Sequence, residues 1–198
     1  MSKIVFVLGG ARSGKSAMLE ACAAGVGPRI AYVATGLPHG RDMVARIAKH
    51  DERRPATWPL HKAPHVLAPT MEQVVAAGDI DGIVLECLYV WTVNQVLTLG
   101  EENSPEFGER QDALEKSHLD DLRAAIAIAR ASPYPTILAS NEAGLGLTPE
   151  RRRQRAFRDL LGRVNETAAV EADRAVLVVA GHALDLKALH LSPARWLE

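Results

Sequence analysis

Short, unbroken apolar runs alternate along this chain with longer amphipathic stretches. The runs are Ile4-Val5-Phe6-Val7-Leu8, Ile30-Ala31-Tyr32-Val33-Ala34, Ile83-Val84-Leu85, Thr136-Ile137-Leu138-Ala139-Ser140 and Ala175 to Ala180. Each is too short for a buried helix and carries no polar alternation, so each predicts a strand buried on both faces. Between them the apolar positions recur at helical spacing. Helices are predicted from about Ser16 to Ala24, from Asp42 to Glu52 with Met43, Ile47 and Ala48 on one face, and from Leu88 to Leu99. Two longer ones are predicted from Leu114 to Ala131 and from Pro149 to Ala172. The pattern predicts an α/β fold of three layers around a mostly parallel sheet. Residues 100–110 are polar and turn-rich and predict a surface loop. No repeat or low-complexity linker divides the chain. Residues 1–181 are expected to form one domain, and residues 182–198 a C-terminal extension of unassigned role in which Trp196 and Leu197 pack against a neighbouring surface.

Composition narrows the class. The 198 residues hold 23 Lys+Arg against 24 Asp+Glu, which argues against a nucleic-acid or membrane-surface partner. Cys22 and Cys87 lie in apolar segments and are expected to be reduced core residues of a cytoplasmic protein. The first apolar run is too short and wrongly flanked for a signal peptide. No apolar stretch reaches the ~20 residues that span a bilayer.

The chemistry is concentrated where the first strand ends. Gly9-Gly10-Ala11-Arg12-Ser13-Gly14-Lys15-Ser16 reads G-x-x-x-x-G-K-S between a predicted strand and a predicted helix, the context of a phosphate-binding P-loop. The glycines let successive N–H groups turn toward phosphate oxygens. Lys15 brings a point charge to the β- and γ-phosphates, and the Ser16 hydroxyl suits Mg²⁺. In a doubly covered parallel sheet, ligands bind at the carboxyl ends of the strands. The residues there are Ala34, Thr35 and Gly36 after the second run, Glu86 after the third, and Asn141 to Gly146 after the fourth. Glu86 either completes the Mg²⁺ shell opposite Ser16 or caps the next helix. The Asn141–Gly146 stretch either contacts substrate or merely turns the chain. His50 is either a solvated helix residue or, as a neutral imidazole, a nucleophile. Arg46, Lys49, Arg53 and Arg54 around it favour the neutral form and attract polyphosphate. Arg151 to Arg155 read as a solvated helix face. The other histidines, His39, His61, His65, His118, His182 and His190, show no ligand spacing.

With these segments in view the chain resembles the bifunctional adenosylcobinamide kinase and adenosylcobinamide-phosphate guanylyltransferase family of cobalamin biosynthesis. The resemblance runs from about residue 3 to residue 181. It rests on GGARSGKS at Gly9–Ser16, Ala34-Thr35, the R-I-x-x-H…R-P segment at Arg46–Pro55 with Trp58, and Leu85-Glu86-Cys87 with Asn94. Its most specific part is Ser140-Asn141-Glu142-Ala143-Gly144-Leu145-Gly146 with Pro149, Phe157-Arg158-Asp159, Gly162, Arg163 and Asn165. The resemblance implies a RecA-like P-loop fold, a homotrimer with active sites near subunit interfaces, and two reactions. A nucleoside triphosphate, ATP or GTP, phosphorylates adenosylcobinamide, and GMP then passes from GTP to adenosylcobinamide phosphate through a covalent histidine intermediate. His50 holds the motif position of that histidine. Lys15 and His50 are thus the expected catalytic residues. The expected nucleotide site is the loop Gly9–Ser16 with Ala34, Thr35, Gly36, Asp51, Glu52, Arg53, Arg54, Lys62 and Glu86. Lys62 stands where the family's W-x-T-x-E pattern has a glutamate, Arg41 lies beside Asp42 where acidic residues precede the histidine helix, and Asn165-Glu166 replaces Asn-Gln. The charge reversal at Lys62 keeps a P-loop kinase without guanylyltransfer open as an alternative. A non-enzymatic nucleotide-binding protein is a further one, against which an intact Lys15, Ser16, Glu86 and His50 argue.

Overall fold

The computed structural model describes residues 3–38 and 40–196; the side chains of Asp42, Arg46, Lys49, His50, Asp51, Arg53 and Arg195 also lie outside the described residues. Among the described residues seven strands make one sheet: β1 (Ile4–Gly9), β2 (Ile30–Ala34), β3 (Leu60–Lys62), β4 (Gly82–Glu86), β5 (Thr136–Asn141), β6 (Arg174–Val179) and β7 (His182–Asp185). Their order across the sheet is β3-β2-β4-β5-β1-β6-β7. Every pairing is parallel except β6 with β7. The helices are α1 (Lys15–Ala24), α2 (Gly40–Arg53), α3 (Ala68–Ala77), α4 (Leu88–Val96), α5 (Phe107–Ala131) and α6 (Arg152–Glu171).

Strand alternation divides the core in two. Ile4, Phe6, Ala31, Val33, Ile83, Leu85 and Leu138 face α3, α4, α5 and α6. Val7, Ile30, Val84, Ile137 and Ala139 face α1 and Trp58. The expected α/β sandwich is therefore present, thicker on one face. Cys22 departs from expectation: it is exposed. The buried stripe of α1 runs through Lys15, Leu19 and Ala23, and Cys22 falls off it. Trp196 is 67% exposed on the single chain, its indole N–H donating to Leu191 O at 3.0 Å, and Leu197 lies outside the described residues.

Two elements escape the periodicity for identifiable reasons. α3 has no side-chain cap of its own. Its first N–H groups are taken by Asp121, 54 residues away, whose carboxylate accepts from Leu67 N at 2.7 Å and Ala68 N at 3.0 Å. The helix α5 begins at Phe107, inside the expected loop, because Phe107 is fully buried. Arg152 of α6 lies over that ring at 4.7 Å, and Arg152 and Arg153 tie down Glu102. The arginine cluster expected to be solvated thus fastens the 100–106 segment to α6.

His118 is buried between α5 and α4, stacked on Trp91 with ring centroids 3.4 Å apart. Thr92 gives its hydroxyl proton to Leu88 O, so it accepts from His118 Nε2. Burial pushes the His118 imidazole down to about 3. The unfolded chain takes up that proton near pH 6.5 and the folded chain does not. This contribution to stability is complete above that pH and is lost as pH falls toward the folded value. His118→Phe, which keeps a ring on Trp91, is expected to flatten the acid limb of the melting-temperature profile between about pH 7 and pH 4. An unchanged slope in thermal denaturation would exclude His118 as its source.

Candidate active site

The P-loop is shaped by sterics that only two of its glycines meet. A Cβ on Gly9 would lie 2.7 Å from both Ser13 Oγ and Val178 O. Gly14 has φ +95°, in the left-handed region, and a Cβ there would come within 3.2 Å of Gly181 Cα. A Cβ on Gly10 would meet nothing within 4 Å among the described residues. Gly9→Ala is therefore expected to weaken nucleotide binding by about tenfold or more through overpacking of the loop, and Gly10→Ala to leave the loop fold intact. Calorimetric titration of both variants with GTP checks the contrast; equal losses would contradict it.

The loop is closed by the turn that follows β6. Ala180 and Gly181, both with positive φ, form the two-residue turn between β6 and β7. Gly181 N donates to Ser13 O at 2.8 Å, laying that turn against the P-loop. β7 adds an antiparallel edge to the sheet, so the first residues of the expected extension belong to the sheet that carries the site.

Lys15 opens α1 and is buried. Ser16 Oγ donates to Glu86 Oε1 at 3.3 Å, across 70 residues of sequence. The parallel register puts Glu86, Ala34 and Lys62 in one row at the carboxyl end of β4, β2 and β3, and Asn141, Gly9 and Val178 in another across β5, β1 and β6. Glu142 N donates to Gly9 O at 3.2 Å, joining the loop after β5 to the P-loop. That loop carries Leu145 and Leu147, which are 90% and 97% exposed. A cavity of about 590 Å³ opens beside it, lined by Thr148, Arg158, Asp159 and Arg163 among others.

Other expected site residues have structural engagements. Thr35 is fully buried, and its hydroxyl accepts from Cys87 N and donates to Cys87 O, both at 2.9 Å. Its side chain clasps β2 to β4. Asn94 donates to Thr35 O at 2.8 Å and to Pro64 O at 2.9 Å. Burial, with the Glu86 charge second, pushes the Cys87 thiol up to about 11, so it stays a thiol at neutral pH. Gly36 is half-buried, and a Cβ there would come within 3.3 Å of Ile47 in α2. That contact lays α2 over the end of β2. His50 follows Ile47 by three residues in the same helix. The backbone at His50, Asp51 and Arg53 is helical, and their side chains lie outside the described residues, as does His39 entirely. Glu52 and Lys62 are exposed, and the Arg54 guanidinium lies 5.8 Å from the centre of the Tyr32 ring.

Tyr32 and Trp58 were not singled out as site residues by the chain's chemistry. Tyr32 OH donates to Glu86 Oε2 at 2.7 Å, and its ring stacks on Trp58 at 6.5 Å. The available signal was a single polar tip inside an otherwise apolar strand.

The parallel sheet, the glycine-shaped loop at the end of β1 and the facing Ser16–Glu86 pair define a P-loop nucleotide-binding protein of the three-layer α/β class. The likeness to solved structures agrees: an ATPase from the type III secretion system of pathogenic bacteria matches 97% of this chain and 59% of its own at a TM-score of 0.54, with 10% identity, which is a likeness of fold alone. Residues 5–186 match the model of the family described as cobinamide kinase / cobinamide phosphate guanyltransferase, and the chain belongs to that family. The bifunctional adenosylcobalamin biosynthesis protein CobU of Salmonella typhimurium is 38% identical over 184 residues, covering 93% of this chain and 99% of that protein. CobU of Escherichia coli is 32% identical over 184 residues with the same coverage, and CobP of Pseudomonas aeruginosa is 36% identical over 181 residues, covering 91% and 95%.

Proposed function

We infer that the chain performs both activities of its family, with one nucleotide site built on the P-loop. In the first reaction the aminopropanol hydroxyl of adenosylcobinamide attacks the γ-phosphorus of ATP or GTP. In the second, a ring nitrogen of His50 attacks the α-phosphorus of GTP, and pyrophosphate leaves. A phosphate oxygen of adenosylcobinamide phosphate then attacks the same phosphorus, breaking the N–P bond and freeing His50. Two in-line displacements replace one. Lys15 offsets the charge that develops on the leaving phosphates. The observation that carries this reading is the P-loop with Lys15 and Ser16 facing Glu86, in a member of this family whose α2 bears His50 beyond the end of β2.

Mg²⁺ fits the donors present. The Ser16 hydroxyl and the Glu86 carboxylate are hard oxygen ligands facing one another, and a metal shared with substrate phosphates needs few protein ligands. Among the described residues no group of three or more His, Cys, Asp or Glu could hold a metal ion. The ion would supply positive charge to the phosphate oxygens when bound.

The acceptor is bulky, and we assign its approach to the loop after β5, where Asn141 and Glu142 adjoin the P-loop and Leu145 and Leu147 offer uncovered apolar surface. Val179, Leu184, Leu189, Leu191 and Trp196, also exposed, support self-association, and a trimer is the state proposed. A cytoplasmic location is proposed with it; no helix among the described residues is long and apolar enough to cross a membrane.

The deciding experiment incubates the protein with Mg²⁺ and GTP labelled at the α-phosphate, followed by denaturation and intact-mass analysis. The expected product is an acid-labile, base-stable GMP adduct mapping to His50. GTP binding without an adduct would favour the kinase-only reading that Lys62 raises.

A further inference from the structure

We propose that Tyr32 is a positioning residue of the phosphate site, holding the Glu86 carboxylate turned toward Ser16. The two oxygens of Glu86 are divided between two donors: Tyr32 OH reaches Oε2 at 2.7 Å, and Ser16 Oγ reaches Oε1 at 3.3 Å. The register explains the reach. Tyr32 pairs with Val84, so Glu86 is its diagonal neighbour two residues on, on the same face of the sheet. A carboxylate at a strand end has free rotamers, and a fixed donor on one oxygen fixes the direction of the other.

The phenol is itself held. Its ring stacks on Trp58 with an interplanar angle of 28°, and Arg54 lies 5.8 Å over it. Both residues belong to the segment that leaves α2 for β3, so the exit of the His50 helix supports the ring that orients Glu86. Strand β2 is otherwise Ile-Ala-Val-Ala, and a buried tyrosine there needs its hydroxyl partnered. Glu86 answers that need, and the bond is charge-assisted.

The proposal rests on the reading of Glu86 and Ser16 as the magnesium-facing pair, and the test separates the two. Tyr32→Phe keeps the ring on Trp58 and removes only the hydroxyl. GTP affinity is measured by calorimetry with Mg²⁺ and with EDTA, together with kcat and KM of the kinase reaction. In Tyr32→Phe the affinity in EDTA is expected to match the wild type, the tightening by Mg²⁺ to shrink by about tenfold, the worth of one hydrogen bond to a charged group, and the nucleotide KM to rise in step. A lowered melting temperature with the magnesium effect intact would make Tyr32 merely structural and overturn the proposal. A wild-type protein whose GTP affinity ignores Mg²⁺ would overturn the Ser16–Glu86 reading instead. A second arm repeats the substitution in Glu86→Gln. If Tyr32 acts through Glu86, the two losses do not add; additive losses would show that it acts elsewhere.

Discussion

Lys15→Ala is expected to abolish nucleotide-dependent turnover in both reactions, lowering kcat/KM by on the order of 10³-fold. The size follows from the surroundings. Lys15 is buried at the first turn of α1, directly after the left-handed Gly14, so its ammonium acts where water screens it poorly. Phosphoryl transfer forms little covalent chemistry with the protein and depends on positioning and charge. Alanine removes the charge and leaves the loop backbone, whose shape comes from Gly9 and Gly14. GTP binding is therefore weakened and turnover lost. Lys15→Arg is not expected to rescue it, since a planar guanidinium is no substitute for a compact point charge in a closed slot. Phosphate transfer and pyrophosphate release, assayed separately, decide the matter. Normal activity in Lys15→Ala would refute the P-loop assignment.

The second large effect is selective. His50→Ala is expected to eliminate the GMP adduct and reduce GMP transfer by roughly 10⁶-fold, the scale seen when a nucleophile is removed. Phosphorylation of the acceptor should persist within several-fold, because the γ-phosphoryl step as proposed uses the P-loop and not the imidazole. The placement of α2 makes the split testable. Ile47 seats the helix against Gly36 at the end of β2, and the same helix carries His50 one turn later. Alanine at His50 keeps helix propensity and leaves the Ile47 contact untouched. Loss of both activities together would mean that His50 serves the fold or the nucleotide pocket. Undiminished GMP transfer would exclude the covalent role.

Much of the site was readable because its grammar is local. A buried strand, a glycine-shaped loop and a helix start fall within residues 4–24, so spacing alone carries the inference to phosphate binding. Glu86 was readable for a related reason: the chemistry of a parallel sheet collects at strand ends. Thr35 shows where such inference stops. Its position at a strand end is correct, yet its hydroxyl is spent on the Cys87 backbone. Strand β3, three residues long with exposed and half-buried side chains, offers no periodicity to read. Strand β7 lies beyond the expected domain end and carries mostly exposed residues, so nothing in its polarity marks it as sheet.

The chain by itself determined the α/β class, five of the strands, the P-loop, and the family to which the residue motifs belong. These depend on periodicity and on motifs a few residues long, where the chain's covalent geometry keeps the participants together. The tertiary structure decided which distant groups complete them. Asp121 caps α3, Gly181 closes on Ser13, Tyr32 donates to Glu86, and Asn94 binds the carbonyl of Thr35. Each joins residues far apart in sequence through a hydrogen bond whose partner is chosen by packing. Side-chain type announces that a buried donor or acceptor must be satisfied; only the fold determines by whom.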